Sequence, residues 1–101
     1  MNNNNKKKYI MSLSIGRWIV ADIVAEYYGS ETDNLIGKYG APYSEQRKIT
    51  MNIIREVGYP ETAISEFFNY PKRSVHDYIV QIKKSLSSFD KKKIIEKILA
   101  L

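Results

Sequence analysis

The chain has 101 residues, 44% of them apolar, enough for one domain with a single modest core, and it contains no cysteine, which excludes zinc fingers, disulfide scaffolds and thiol chemistry. No apolar run approaches the roughly 18 residues needed to span a bilayer, and the charged start has no signal-type apolar core after it, so a cytoplasmic protein is expected. The net charge of +5 is unevenly spread: Met1 to Gly37 sets Lys6, Lys7, Lys8 and Arg17 against Asp22, Glu26, Glu31 and Asp33, leaving the whole excess downstream. Such an asymmetry favours a polyanionic partner, although a solvated lysine-rich surface has the same signature.

Asn2 to Lys8 is a tract of asparagine and lysine that buries no apolar area, so residues 1–11 are expected to form a disordered tail and 12–101 a single helical domain. The first helix is predicted from about Ser14 to Tyr28, with Ile19, Val20, Ile23, Val24 and Tyr27 on its buried face, Trp18 off that face and Gly29 as the stop. Asp22 and Glu26, four apart, read as a solvent-facing edge rather than a pair for acid–base catalysis. Ser30 is expected to cap a short second helix through Leu35 and Ile36, with Asp33 near its positive end.

After Gly37, Gly40 and Pro42, Ser44 opens a third helix with Ile49, Ile53, Ile54 and Val57 inward, Arg47, Lys48 and Arg55 on an opposite basic side, and Gly58 at its end. Pro60 suits the first turn of a short fourth helix whose face is Ile64, Phe67 and Phe68, and Asn69, Tyr70 and Pro71 then turn the chain. The fifth helix, from about Lys72 to Ser87, repeats Val75, Ile79, Ile82 and Leu86 at four, three and four residues. That spacing is an inward seam, and about 100° per residue sends Arg73, Asp77, Val80 and Lys84 away from it, with Lys72, Ser74, His76 and Gln81 on the flanks. Asp90 is expected to cap a last helix with Ile94, Ile95, Ile98 and Leu99 inward and Lys91, Lys92 and Lys93 near its start.

A short helix, a tight turn and a longer helix over about 61–87 have the dimensions of a helix-turn-helix, whose second helix enters the major groove. Lys72, Arg73 and Ser74 put two long donors and a hydroxyl at the leading end of that second helix, where base edges and phosphates are met first. An ordinary antiparallel helix pair with a charged first turn reads the same way from spacing alone.

The run Ile23-Val24-Ala25-Glu26-Tyr27-Tyr28, the segment Arg47 to Glu56 (RKITMNIIRE), Ile64-Ser65-Glu66-Phe67-Phe68 and Val75 to Ile82 resemble, in order, the C-terminal DNA-binding domain (domain IV) of the bacterial replication initiator DnaA. The resemblance covers about Ile15 to Leu101. It implies an all-α fold of five to six helices, Trp-repressor-like, that binds a short box of double-stranded DNA, with an arginine in the adjacent minor groove that falls on Arg47 here. At the turn, the family's Phe-Gly-Gly-Arg-Asp-His-Thr-Thr-Val is replaced by Phe68, Asn69, Tyr70, Pro71, Lys72, Arg73, Ser74 and Val75, one residue shorter. Aligned on Val75, Lys72 takes the place of the histidine and Arg73 and Ser74 those of the threonines, so the residues in the base-reading positions differ from the family's. Lys38 to Gln46 carries one basic residue where the family's loop is arginine-rich, which predicts fewer phosphate contacts.

The initiator's ATPase signature does not occur, since Gly37-Lys38 is followed by Tyr39 and lacks the earlier glycine of a phosphate-cradling loop. His76, the sole histidine, makes neither a metal site nor a triad without cysteine or clustered carboxylates. The expectation is a stand-alone, non-enzymatic binder of double-stranded DNA acting in replication or transcription control, with no cofactor, metal, small-molecule substrate or membrane partner. Lys72, Arg73, Ser74 and Asp77 are expected at the major groove, Arg47 at the minor groove, and Lys48, Arg55 and Lys84 at or near phosphate. The main rival is a protein-interaction module that keeps the fold and binds a replication protein through Trp18, Tyr70 and Tyr78. An RNA-binding reading has no module signature to support it.

Overall fold

Three of the helices stop in the same way. At Gly29, Gly58 and Asn69 the N–H bonds back three residues, to Glu26, Arg55 and Glu66, while the next residue's N–H reaches back five, to Ala25, Ile54 and Ser65. This double bond pattern satisfies carbonyls that a helix end leaves open, and it turns on a left-handed residue. Asn69 fills that role at φ 57°, as Gly29 does at φ 71°; asparagine is among the few residues with a side chain that tolerate this region.

The computed structural model describes residues 16–37, 43–84 and 88–101, and over these it is all-helical, with six helices and no strand. They are α1 (Arg17–Tyr28), α2 (Thr32–Gly37), α3 (Ser44–Val57), α4 (Glu61–Phe68), α5 (Lys72–Lys84) and α6 (Ser88–Leu99). The expected tail over 1–11, the start at Ser14, most of the Lys38-to-Gln46 loop, Leu86 and Ser87 lie outside the described residues. No helix among those described is long and apolar enough to cross a membrane.

The third helix departs most from expectation. Ile49, Thr50, Met51, Asn52, Ile53 and Ile54 are consecutive and all buried. At 3.6 residues per turn such a run leaves no outer face, and α3 touches every other helix. The continuous basic side expected along it is therefore missing: Arg47 is buried and Lys48 half-buried, and the exposed residues are Glu45 in the first turn and Arg55 and Glu56 in the last. Asn52 is the polar member of this core, its Nδ2 donating to the Ile79 carbonyl of α5 at 3.1 Å. That bond ties the middle of α3 to the middle of α5, while Oδ1 of the same amide is buried without a partner among the described residues.

The other helices pack around α3. Val20, Ala21, Val24 and Ala25 are the buried residues of α1, while Ile19 is 44% exposed, so its inward face is turned toward the alanines rather than centred on the larger aliphatics. Helix α2 starts at Thr32, after the carbonyl of Glu31 has accepted the Leu35 N–H, so Ser30 is not its cap. Thr32 Oγ1 instead donates to Asp22 of α1 at 2.6 Å. In α4 the inward residues are Ile64 and Phe68, with Phe67 half-buried, and in α5 they are Val75, Ile79 and Ile82 as the spacing required.

Asp90 is also not a cap. It is the third residue of α6, and its two carboxylate oxygens each accept a hydroxyl hydrogen from α1, Oδ1 from Tyr27 and Oδ2 from Tyr28, both at 2.9 Å. Lys91 pairs with Glu56 at the end of α3, while Ile94, Ile95 and Ile98 complete the core. Both tyrosine hydroxyls are pushed above the ordinary value of 10.0, Tyr27 chiefly by the bond to Asp90 and Tyr28 chiefly by burial and then by that bond. An acidic group raised in the folded state holds its proton more tightly there, so its contribution is complete below about pH 10 and is lost as pH climbs through the raised value. Asp90→Asn is expected to lower the denaturation midpoint at neutral pH and to flatten the alkaline decline in stability, read from urea melts on either side of pH 10.

Candidate nucleic-acid interface

The geometry of α5 follows from its seam. With Val75, Ile79 and Ile82 committed to the core, the opposite side carries Lys72, Arg73, His76, Asp77 and Gln81 into solvent, with Ser74 and Val80 half-buried beside them. Lys72 and Arg73, at the leading end, form no hydrogen bond or ion pair with any described residue. Pro71 occupies the cap position, its carbonyl accepting the Val75 N–H at 3.1 Å, and a proline ring has no acceptor to offer the first-turn amides. The leading end of α5 thus presents two long cationic donors on a helix terminus of positive potential.

The turn that aims this helix is held on both sides. Ser65 Oγ donates to the Tyr70 carbonyl, and the Tyr70 ring meets the Tyr78 ring edge-on with centroids 6.0 Å apart. Lys48 reaches over from α3 with its Nζ 5.0 Å from the centre of the Tyr78 ring. Its cation therefore lies on the flank of α5, the place expected of a phosphate contact bordering a groove.

Four of the expected site residues, Lys72, Arg73, Ser74 and Asp77, come together on α5, and Lys48 is joined to them through Tyr78. Arg55 sits apart at the junction of α3 and α4, exposed, with Nη1 3.4 Å from the Tyr59 carbonyl. Lys84 ends α5, and its side chain lies outside the described residues. Arg47 is a correction. It is 2% exposed, its Nε donates to the Leu35 carbonyl at 2.7 Å, and its guanidinium lies 5.8 Å from the centre of the Tyr70 ring. A side chain so enclosed cannot extend into a minor groove; it braces α2 and the turn against α3 instead. Helical spacing put it beside Lys48 on a supposed outer face, and spacing carries no information about a neighbour such as Tyr70 that arrives from 23 residues later.

Several side-chain contacts were not legible in the sequence. The Glu61 carboxylate of α4 meets Nδ1 of His76 at 2.9 Å, across the two helices of the unit, with side chains 24% and 60% exposed. Glu61 is the acidic residue in the first turn of α4. Tyr70 and Tyr78, named as anchors for a partner, are half-buried and packed on one another, whereas Trp18 is 53% exposed with its ring edge-to-face on Phe67 at 5.0 Å. Arg17 lies over the same Phe67 at 5.4 Å and over Tyr59 at 5.5 Å.

No family model, curated protein or solved structure matches this chain. Because Arg47 is internal, Arg47→Met is expected to destabilise the fold, by about 2–3 kcal/mol for an orphaned buried acceptor and lost ring contact. Urea denaturation measures the loss, and the salt dependence of any nucleic-acid binding should stay that of the parent chain under conditions where the variant is folded.

Proposed function

We propose that the chain binds double-stranded DNA with a sequence preference, α4 and α5 acting as a helix-turn-helix and α5 entering the major groove. The observation that supports this most directly is the pair of exposed, unpaired cations, Lys72 and Arg73, at the leading end of a helix whose opposite side is buried on α3. Arg73 is the candidate for a base edge, since its fork matches the two acceptors of guanine in the major groove. Lys72 and Lys48 neutralise phosphate on either side, Ser74 offers a hydroxyl from the half-buried flank, and Asp77 disfavours backbone approach one turn in, which helps set register. The action is binding alone, with no reaction step and no cofactor.

The order of the helices and the place of the turn support kinship with domain IV of the initiator DnaA, and with it a role in replication initiation or transcription control. Burial of Arg47 removes one of that family's expected DNA contacts, and the shorter turn changes the residues at the groove. A second reading, a protein-interaction module that keeps this fold, is favoured by one observation: Trp18 and Ile19 are adjacent and both exposed, at 53% and 44%. Aromatic side chains of that kind anchor interfaces.

Gel-shift titration against salt separates the readings. A DNA binder shows log affinity falling linearly with log salt, and an interaction module shows no shift of duplex at low salt. Arg73→Ala is expected to cost roughly 1–3 kcal/mol on a selected site and to relax preference at one position; an equal loss on every duplex makes it a phosphate contact. Lys48→Ala is expected to weaken binding to all duplexes and to reduce the salt slope by about one unit.

A further inference from the structure

The pairing of His76 with Glu61 has a chemical consequence at the helix surface. An ionised carboxylate only accepts hydrogen bonds, so the 2.9 Å contact requires the proton to sit on Nδ1 of the imidazole. The uncharged ring has one proton, and with that proton held on Nδ1 by Glu61 the Nε2 atom bears a lone pair. That is the form less favoured by a free histidine side chain in water. Nε2 has no hydrogen-bond partner among the described residues, and the side chain is 60% exposed. His76 stands one turn after Lys72 and Arg73 on the same helix, on the flank of α5 that faces α4.

We infer that His76 is a specificity-determining residue, its imidazole held by Glu61 as a hydrogen-bond acceptor that selects an exocyclic amino group in the major groove. This rests on the DNA-binding reading and goes beyond it by naming what one position recognises. The major-groove edges that donate are the N6 amino group of adenine and the N4 amino group of cytosine. The N7 and O6 acceptors of guanine, and O4 of thymine, set a lone pair against a lone pair and are rejected. Glu61 is the positioning residue: it lies behind the ring and sets which nitrogen carries the proton. The other charged groups near the ring on its own helix are Lys72 and Arg73, one turn before, and Asp77 beside it; from α4 the facing group is Glu61.

Two measurements on the full chain test this. His76 is the sole histidine, so the ¹⁵N resonances of one imidazole report its tautomer without assignment. The Nδ1–H form should dominate in the parent chain, and Glu61→Gln, whose amide donates as well as accepts, should shift the ring toward Nε2–H. A parent ring in the Nε2–H form overturns the inference with no DNA present. Selection from a randomised duplex library, at the same pH, gives the second readout. The parent should return a position restricted to adenine or cytosine on one strand, His76→Ala should lose roughly five-fold of discrimination there, the worth of one hydrogen bond, and the position lost in Arg73→Ala should be unaffected. Glu61→Gln should admit guanine at the His76 position. Enrichment of a site whose preferences survive His76→Ala at every position overturns this inference and leaves DNA binding standing, whereas a parent chain that enriches no duplex overturns both.

Discussion

Enclosure of α3 governs this structure. A helix buried from Ile49 to Ile54 without interruption has no outer face over its middle turns, so the surrounding helices must supply apolar seams to it. For α5 the seam is Val75, Ile79 and Ile82, and once it is committed the charged side of α5 has only one direction left to face. The Asn52 bond to the Ile79 carbonyl then sets how far along α3 that helix sits. Hydrophobic burial supplies the driving force, and one polar contact in the middle of it selects the register.

Two arginines illustrate how position rather than residue type assigns a role. Arg47 is enclosed, its Nε on a carbonyl of α2 and its charge over the Tyr70 ring, so it holds the turn that leads into α5. Arg73 stands just beyond that turn in solvent, with its five donors unengaged by any described residue. Desolvating a guanidinium is costly unless it is hydrogen-bonded, which is why the first is tied to the backbone and the second stays in water. The buried arginine contributes to the proposed function through the aim of the helix that carries the exposed one.

Three further polar contacts join one helix to another. Asp90 gathers the hydroxyls of Tyr27 and Tyr28, Lys91 meets Glu56, and Glu61 meets His76. The first two tie the last helix to α1 and α3. The third is on the surface of the helix-turn-helix unit, where a carboxylate behind an imidazole changes what the outer nitrogen offers. On the proposed reading, a charge that weakens attraction to phosphate contributes selectivity in this place.

Helix number, the positions of Gly29, Gly58 and Asn69 as stops, and the inward seams of α4 and α5 were legible in the sequence, because 3.6-residue periodicity and left-handed residues act over a few positions of chain. The exposed face of α5 followed from its seam by the same arithmetic. The environment of α3 did not, since four apolar residues at helical spacing look alike whether a helix lies on the surface or is walled in on all sides. Which basic residue became internal, which acid took two tyrosine hydroxyls in place of a helix cap, and which carboxylate came to rest behind the histidine were decided by the tertiary structure. Those outcomes depend on groups 12 to 63 residues apart along the chain, from Arg47 with Leu35 to Tyr27 with Asp90, and only packing brings them within hydrogen-bonding distance.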